Sequence, residues 1–307
     1  MIDRRIKFRH IQCFIEIARA QSLKAAAERL HLTQPAISKT LKELEGLLGK
    51  PLLNRSRAGV GLTLEGEVFL SHAEASIASI QQGITGLKSG GQAGLKPLAV
   101  GVLPSVAARL IPAAASAFSQ SAPDTVLRLL DGPHGFLVER LKIGELDLVL
   151  GRMGDHDQMK GISFTTLYRE RISFVVRQGH PLLQRPRLDA IVDWPIVFPS
   201  AGSAIRPSVD RYLIERGLGE IPRRIETVSG AFGRVFTQHT DAIWIISDGV
   251  VANEIANGLL TRLPFETDTT LGPIGIMNRA DWAYDLPAKQ FVRVLQQTIA
   301  ALPDISG

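Results

Sequence analysis

The segment SLKAAAERLHLTQPAISKTLK, residues 22–42, constrains the fold of this chain more than any other part of it. Ser22 and Thr33 are each followed by apolar residues at helical spacing, and both side chains are common helix N-caps. Pro35 stands in the first turn after Thr33, where its missing N–H leaves no hydrogen bond unmade. The segment therefore predicts two short helices around a tight turn.

The second of these helices has an apolar face and a polar face. The apolar stripe consists of Ile37, Leu41, Leu44 and Leu48. At 100° per residue the opposite side carries groups suited to DNA, because glutamine pairs with adenine and lysine reaches guanine or phosphate. The predicted DNA-binding residues of the two helices are Ser22, Thr33, Gln34, Pro35, Ser38, Lys39 and Lys42. The alternative is that this face is the solvated side of an ordinary amphipathic helix.

Positive charge is concentrated at the start of the chain. Residues 1–63 contain 12 Lys and Arg against 5 Asp and Glu, a net charge of +7. Residues 91–307 contain 22 of each kind and are neutral overall, although the whole chain carries +5. A basic surface confined to a small helical unit is expected of a nucleic-acid binder.

PLLNRSRAGVGLT, residues 51–63, predicts two short extended pieces around a turn that contains glycine. Arg55 and Arg57 stand beside this turn, where arginine contacts phosphates or enters a minor groove. Together with the two helices, the hairpin predicts a winged helix-turn-helix that binds double-stranded DNA over residues 1–63. The alternative is an ordinary exposed hairpin.

A single long helix is predicted from Thr63 onward, capped by Thr63 and with Glu65 in its first turn, where the helix dipole favours negative charge. Apolar residues follow at alternating steps of three and four: Leu70, Ala73, Ile77, Ile80, Ile84 and Leu87. Such a seam indicates a partner helix, so residues 64–90 are predicted to form a linker and dimerisation helix. The alternative is that the stripe packs on its own domain.

SGGQAG, residues 89–94, is the predicted domain boundary. Beyond it, strand-like and helix-like stretches alternate, which predicts a mostly parallel sheet with helices on its faces. A second set begins near FTTLYRERISFVVRQ. Residues 91–307 are thus predicted to form an α/β effector-binding domain with a ligand cleft between two lobes. One lobe is expected over about 95–164 and 270–307, and the other over about 165–269.

Four segments carry a resemblance to one known family. They are AAAERLHLTQPAISKTLKELE, LLNRSRAGVGLTLEGEVFL, LKIGELDLVLG and VVRQGHPLL. In these segments, and over its whole length, the chain resembles the LysR-type transcriptional regulators. The resemblance implies a winged helix-turn-helix, a linker helix and a two-lobed effector domain like that of periplasmic binding proteins. It also implies a homotetramer that binds promoter DNA and a small-molecule effector, alters DNA bending and contacts RNA polymerase.

Three further segments point to one branch of that family. The opening MIDRRIKFRH, LDLVLGRM and FTTLYRE resemble the activators of protocatechuate catabolism. That resemblance implies an inducer from an aromatic pathway, such as a carboxymuconate. Regulators of sugar-binding proteins share parts of the opening, so a sugar-responsive regulator of a transport gene is the alternative.

Ligand-contacting groups are expected at helix starts just beyond strand ends, where backbone N–H groups favour anions. The predicted effector-binding residues are Ser105, Pro133, His134, Arg152, Ser203, Arg206 and Ser229, with Arg152 as a candidate for a second site. The resemblance matches Ser105 to the family's inducer-contacting serine, and Arg206 predicts a bidentate clamp for a carboxylate. The alternatives are that the serines cap helices, that His134 is a loop residue and that Arg206 forms a surface ion pair.

Other function classes find little support in the sequence. Cys13 is the single cysteine, which excludes an intrachain disulfide and suits a reducing cytoplasm. The chain lacks a long uncharged apolar stretch and a secretory signal, so a cytoplasmic protein without a membrane partner is expected and a solute receptor is opposed. No catalytic motif appears, and an enzyme with an appended DNA-binding domain is the weaker alternative. Asp155 and Asp157 lack the further ligands that a metal needs, so neither a metal nor a cofactor is predicted.

Overall fold

A computed structural model describes residues 3–56, 59–88, 97–280 and 284–302. The chain forms two compact units, residues 1–91 with 142–145 and residues 92–141 with 146–307. Within the described ranges, no helix is both long enough and apolar enough to cross a membrane.

The first unit contains the two predicted helices and the tight turn between them. Its elements are α1 (Phe8–Ala20), α2 (Leu23–Arg29), α3 (Gln34–Leu48), β1 (Leu53–Ser56), β2 (Gly59–Leu62) and α4 (Leu64–Lys88). The chain turns at His31, whose φ of 54° is left-handed, and the Leu32 N–H donates to the Ala27 carbonyl over 2.9 Å. The predicted helix-turn-helix is therefore present, with a histidine where glycine is the commoner residue for such a backbone.

One apolar core holds the first unit together. Ile37, Leu41 and Leu44 of α3 are buried against Phe14 and Ile17 of α1. Leu52 and Leu53, at the start of the hairpin, join the same core. Burying both α3 and the base of the hairpin in one core fixes their relative positions.

The wing is a two-stranded antiparallel hairpin with Leu53 opposite Leu62 and Ser56 opposite Gly59. The Val60 N–H donates to the Gln21 carbonyl at the end of α1 over 3.3 Å, which ties β2 to the helices. The side chain of Arg55 and the whole of Arg57 lie outside the described residues.

The second unit contains two five-stranded sheets, of which the first forms one lobe. Its strand order is β4-β3-β5-β12-β6, with β3, β4 and β5 parallel and β12 antiparallel to both its neighbours. The strands are β3 (Leu98–Val102), β4 (Leu127–Asp131), β5 (Leu148–Arg152), β6 (Ile162–Glu170) and β12 (Gly272–Arg279). The helices are α5 (Pro104–Arg109), α6 (Ile111–Ser121), α7 (His134–Lys142) and α11 (Leu286–Ala301).

The second sheet forms the other lobe, in the order β11-β7-β10-β8-β9. Its strands are β7 (Ile172–Arg177), β8 (Ile196–Pro199), β9 (Arg224–Thr227), β10 (Ile243–Ser247) and β11 (Leu260–Arg262). Its helices are α8 (Arg206–Glu215), α9 (Gly230–His239) and α10 (Ala252–Ala256). The predicted α/β architecture is confirmed, with apolar layers packed on each sheet. The sheets are mixed rather than mostly parallel, because β12 in the first sheet and β7 in the second are antiparallel to both of their neighbours.

The chain passes between the lobes twice. The first crossing is at Arg171, between β6 and β7, and the second is near Leu271, between the 3-10 helix Asp268–Thr270 and β12. The first lies later than the predicted boundary near residue 165. The reason is that β6 pairs with β12 from Ile162 to Glu170 and so keeps this whole stretch in the first lobe.

Glu45 offers a direct test of the coupling between α3 and the hairpin. Its Oε1 accepts hydrogen bonds from the N–H groups of Leu52 at 2.8 Å and Leu53 at 3.2 Å. Glu45→Ala leaves both N–H groups without this acceptor. We therefore expect the free energy of unfolding to fall by roughly 1–3 kcal/mol for each N–H group that loses its hydrogen bond. Chemical unfolding of the full chain measures the loss, with Glu28→Ala at an exposed position of α2 as the control. Equal stability of the two variants would contradict this role.

Candidate functional site

The polar face of α3 is open to solvent in the described structure. Gln34, Pro35, Lys39 and Lys42 are exposed, and Ser38 is half-buried. On the opposite side of the helix Ile37 and Leu44 are fully buried. The helix therefore presents amide, hydroxyl and ammonium groups together on one exposed face.

Ser22 and Thr33 act as helix caps. The Ala25 N–H donates to the Ser22 hydroxyl oxygen over 3.3 Å, and the Ala36 N–H donates to the Thr33 oxygen over 3.4 Å. Each hydroxyl also retains its own proton as a donor. Their main structural effect is to fix where α2 and α3 begin.

The apolar stripe of α4 divides into two parts. Leu70, Ala73 and Ile77 pack against the core of the first unit, as the alternative interpretation of this helix predicts. Ile80 and Ile84, further along, are 47% and 46% exposed. The Leu87 side chain lies outside the described residues. Only the second part of the stripe is open to a partner helix.

A cavity in the second unit brings together five of the seven predicted effector-binding residues. They are Ser105, Pro133, His134, Arg152 and Ser203. Ser105 lies in the first turn of α5, which follows β3, and His134 begins α7, which follows β4. Ser203 follows β8 of the other lobe. The remaining lining is largely apolar: Leu103, Pro104, Gly132, Pro199, Ala204, Ile205, Thr227, Val228, Ile246, Ser247 and Val250. Within this lining Arg152 is the one permanently charged side chain, and no carboxylate is included.

Arg206 and Ser229 are not brought into this cavity. The Arg206 guanidinium donates to both Asp210 oxygens at 2.9 and 2.8 Å, to the Pro199 carbonyl at 3.0 Å and to Glu226 at 3.3 Å. This is the ion pair that the alternative interpretation predicts. The Ser229 oxygen accepts the Phe232 N–H at 3.2 Å and caps α9. The sequence predicted both residues for the effector site, but neither side chain lines the cavity.

Arg152 lies at the end of β5 and binds both crossings between the lobes. One terminal nitrogen donates to the Glu170 carbonyl over 2.6 Å, and both terminal nitrogens donate to the Thr270 carbonyl at 3.2 and 3.3 Å. Burial lowers the pKa of this guanidinium, while the nearby charge of Glu170 acts in the opposite direction. Its Nε atom is buried and has no hydrogen-bond partner among the described residues.

Glu170 is a buried carboxyl group that the sequence analysis missed. Its Oε1 accepts the Gly249 N–H at 3.1 Å. Burial raises the pKa of Glu170 to about 7, although the nearby Ser105 hydroxyl group and the charge of Arg152 oppose this change. An added Cβ at Gly249 would collide with the end of the Glu170 side chain, so that side chain would have to move. A charge inside the strand-like segment LYRERISF was the available signal, since such a residue needs a buried partner.

Asp155 and Asp157 do not belong to a metal site in the described residues, where no group of three or more candidate ligands occurs.

Two family models match this chain. The model described as "Bacterial regulatory helix-turn-helix protein, lysR family" matches residues 8–67, which contain α1 to α3 and the hairpin. The model described as "LysR substrate binding domain" matches residues 92–300, which contain both sheets and the cavity.

The chain is also similar to individual proteins of known sequence or structure. The HTH-type transcriptional regulator PcaQ of Agrobacterium fabrum is 43% identical over 99% of this chain and 98% of its own length. This identity confirms the resemblance carried by MIDRRIKFRH, LDLVLGRM and FTTLYRE. The solved Corynebacterium glutamicum OxyR C206 mutant is 22% identical with a TM-score of 0.56, over 97% of this chain and 93% of its own. The solved structure of full-length CbnR complexed with its target DNA is 23% identical with a TM-score of 0.50, and the match covers 95% of this chain and 99% of the CbnR chain.

Proposed function

Since the chain belongs to the LysR family of transcriptional regulators, we propose that it binds promoter DNA through α3 and responds to a small acidic metabolite bound in the cavity. The proteins and folds that it matches are regulators, not enzymes, which removes the enzymatic alternative. We further propose that the metabolite belongs to aromatic catabolism, as a carboxymuconate does, on the strength of the similarity to PcaQ.

The exposed polar face of α3 carries the DNA-binding proposal. Gln34, Ser38 and Lys42 are four residues apart and lie in one row along the helix, with Lys39 in the adjacent row. Glutamine and serine suit base edges, and the lysines suit guanine or phosphate. CbnR, which has the same fold, was solved with its target DNA. The hairpin arginines are proposed to contact the DNA backbone beside this helix.

The polarity of the cavity supports an acidic effector. Arg152 supplies a positive charge, and the Ser105 and Ser203 hydroxyl groups come from opposite lobes. Backbone N–H groups at the start of α7 also favour an anion. A neutral sugar would need more planar amide and carboxylate partners than this lining offers. Effector binding between the lobes is proposed to change DNA bending and the contact with RNA polymerase.

Replacing side chains on the exposed face of α3 by alanine should lower the affinity for DNA in two distinguishable ways. Gln34→Ala should cost about 1–3 kcal/mol on the preferred site only, because an amide reads one base. Lys42→Ala, if it loses a phosphate contact, should weaken binding to all sequences and reduce the salt slope by about 1. Fluorescence anisotropy with specific and random duplexes measures both, and Lys160→Ala in the second unit is the matched control. Unchanged operator binding by a Gln34/Ser38/Lys39 triple alanine variant would refute the assignment.

Assembly should depend on the exposed end of the α4 stripe. Ile80→Glu combined with Ile84→Glu places carboxylates where a partner helix is proposed to pack, so the dimer should dissociate. Light scattering at micromolar protein reports the mass, and Ile214→Glu at an exposed position of α8 is the control. An unchanged mass for the double variant means that α4 is not the dimer contact.

Carboxymuconate should raise the midpoint of thermal unfolding, because a ligand bound only to the folded state stabilises it. Ser203→Ala should weaken the ligand about tenfold or more, the loss expected for a hydrogen bond to a carboxylate. Ser229→Ala removes the same hydroxyl group outside the lining and should leave the affinity unchanged. Calorimetry on the full chain gives these constants. Tight binding of a neutral sugar without binding of any muconate or aromatic acid would exclude the acidic effector but not DNA binding.

A further inference from the structure

The guanidinium group of Arg152 lies in a close-fitting site beside the two crossings between the lobes. Only 5% of the residue is exposed, although it lines the cavity. Its terminal nitrogens donate to the carbonyls of Glu170, directly before the first crossing, and of Thr270, directly before the second. Both acceptors are backbone atoms, so the path of the chain at the crossings decides where the guanidinium lies.

Thr270 ties the second crossing to the first. Its side-chain oxygen accepts the N–H of Ile172, the first residue of β7, over 2.9 Å and donates to the Thr267 carbonyl over 2.6 Å. Only 3% of Thr270 is exposed, so losing the acceptor of the Ile172 N–H is unfavourable. The hydroxyl group of Thr270 therefore holds the chain just beyond the first crossing, while the carbonyl of the same residue binds Arg152.

Gly272 leaves the space that the guanidinium occupies. It is the first residue of β12 and pairs with Glu170 on β6. A Cβ atom at this position would overlap Nη1 of Arg152 and lie 2.8 Å from its Cζ, and the third nearest atom, Nη2, belongs to the same side chain. An added methyl group would thus displace the guanidinium. Glu170, Thr270 and Gly272 together form what we call the guanidinium site.

The guanidinium site leaves one nitrogen of Arg152 for a ligand. Both terminal nitrogens are hydrogen-bonded to backbone carbonyls, whereas Nε is buried and has no hydrogen-bond partner among the described residues. Buried donors in proteins are normally hydrogen-bonded. An anionic effector that accepts from Nε–H would satisfy this donor and leave the bonds to the two crossings in place.

We propose that Thr270 and Gly272 are positioning residues of the effector cavity, which fix the guanidinium of Arg152 at the two crossings and leave its Nε–H as the donor for an anionic effector. This inference rests on the proposed effector site. Neither residue lines the cavity, so replacing them alters the position of the arginine without removing a group of the lining. A role in packing alone would lower the stability and leave the affinity for the effector unchanged.

The fit between Gly272 and Arg152 can be tested without a ligand. Gly272→Ala should lower the midpoint of thermal unfolding of the full chain by about 2–4 °C, the loss expected for modest overpacking of a buried site. Arg152→Met removes Cζ and both terminal nitrogens, the atoms that the added methyl group would meet. In this background Gly272→Ala should have almost no effect, because the two substitutions share one contact. Gly219→Ala, where an added Cβ meets no atom within 4 Å, is the control and should act equally in both backgrounds.

The role of Thr270 is tested by two substitutions that differ in the hydroxyl group. Thr270→Val nearly keeps the shape of the side chain and removes its hydrogen bonds, whereas Thr270→Ser keeps the hydroxyl group. Calorimetry of the full chain with carboxymuconate, at a temperature where all variants are folded, should show binding about fivefold or more weaker in Thr270→Val and in Gly272→Ala. Thr270→Ser should bind within about twofold of the wild-type chain.

The outcomes separate this inference from the proposed function. Weaker binding in Thr270→Val and Gly272→Ala, with Thr270→Ser close to the wild-type chain, supports both. Unchanged affinity in Thr270→Val and Gly272→Ala, or equal weakening in Thr270→Val and Thr270→Ser, overturns the positioning role and leaves the acidic effector in place.

No binding of carboxymuconate by the wild-type chain overturns the proposed effector, and the thermal test then decides the guanidinium site alone. A loss from Gly272→Ala that disappears in the Arg152→Met background supports the site. Equal losses in the two backgrounds overturn it.

Discussion

The arrangement of the effector domain depends on the three hydrogen bonds that Arg152 donates to backbone carbonyls. Glu170 and Thr270, whose carbonyls it binds, stand next to the two points where the chain passes between the lobes. The same guanidinium also lines the cavity, so the proposed ligand carboxylate would contact the group that binds both crossings. We therefore propose that occupancy of the cavity affects the two crossings between the lobes.

Local sequence signals predicted the helix-turn-helix unit at the start of the chain well. Ser22 and Thr33 cap the helices at the expected places, and the buried stripe of α3 follows the 3.6-residue period. The turn itself depends on the left-handed backbone of His31. Its exact position was not predictable, because the residue there is not the glycine that usually marks such a conformation. The caps and the stripe were predictable because caps, periodicity and charge act over a few residues. The alternation of strands and helices in the second unit was predictable for the same reason.

The residues that the sequence analysis placed differently or missed are those whose partners are distant along the chain or compete for the same side chain. Arg206 has the right position at a helix start, but Asp210 and Glu226 take its guanidinium. The α4 stripe looks uniform, yet Leu70, Ala73 and Ile77 pack on the core of their own unit. Glu170 gave only the weak signal of a charge in a strand, because Gly249, whose N–H donates to it, lies 79 residues further along the chain. Spacing along a chain does not show which of two available partners a side chain binds.

The central claim is that occupancy of one cavity changes how the regulator contacts DNA. DNase I footprinting of the full chain tests it most directly, on DNA upstream of genes for protocatechuate breakdown, with and without carboxymuconate. The account predicts protection in both conditions and a change in its length or in hypersensitive positions when the acid is added. Ser203→Ala should require more of the acid for the same change. An identical footprint with and without saturating, demonstrably bound carboxymuconate would contradict the account.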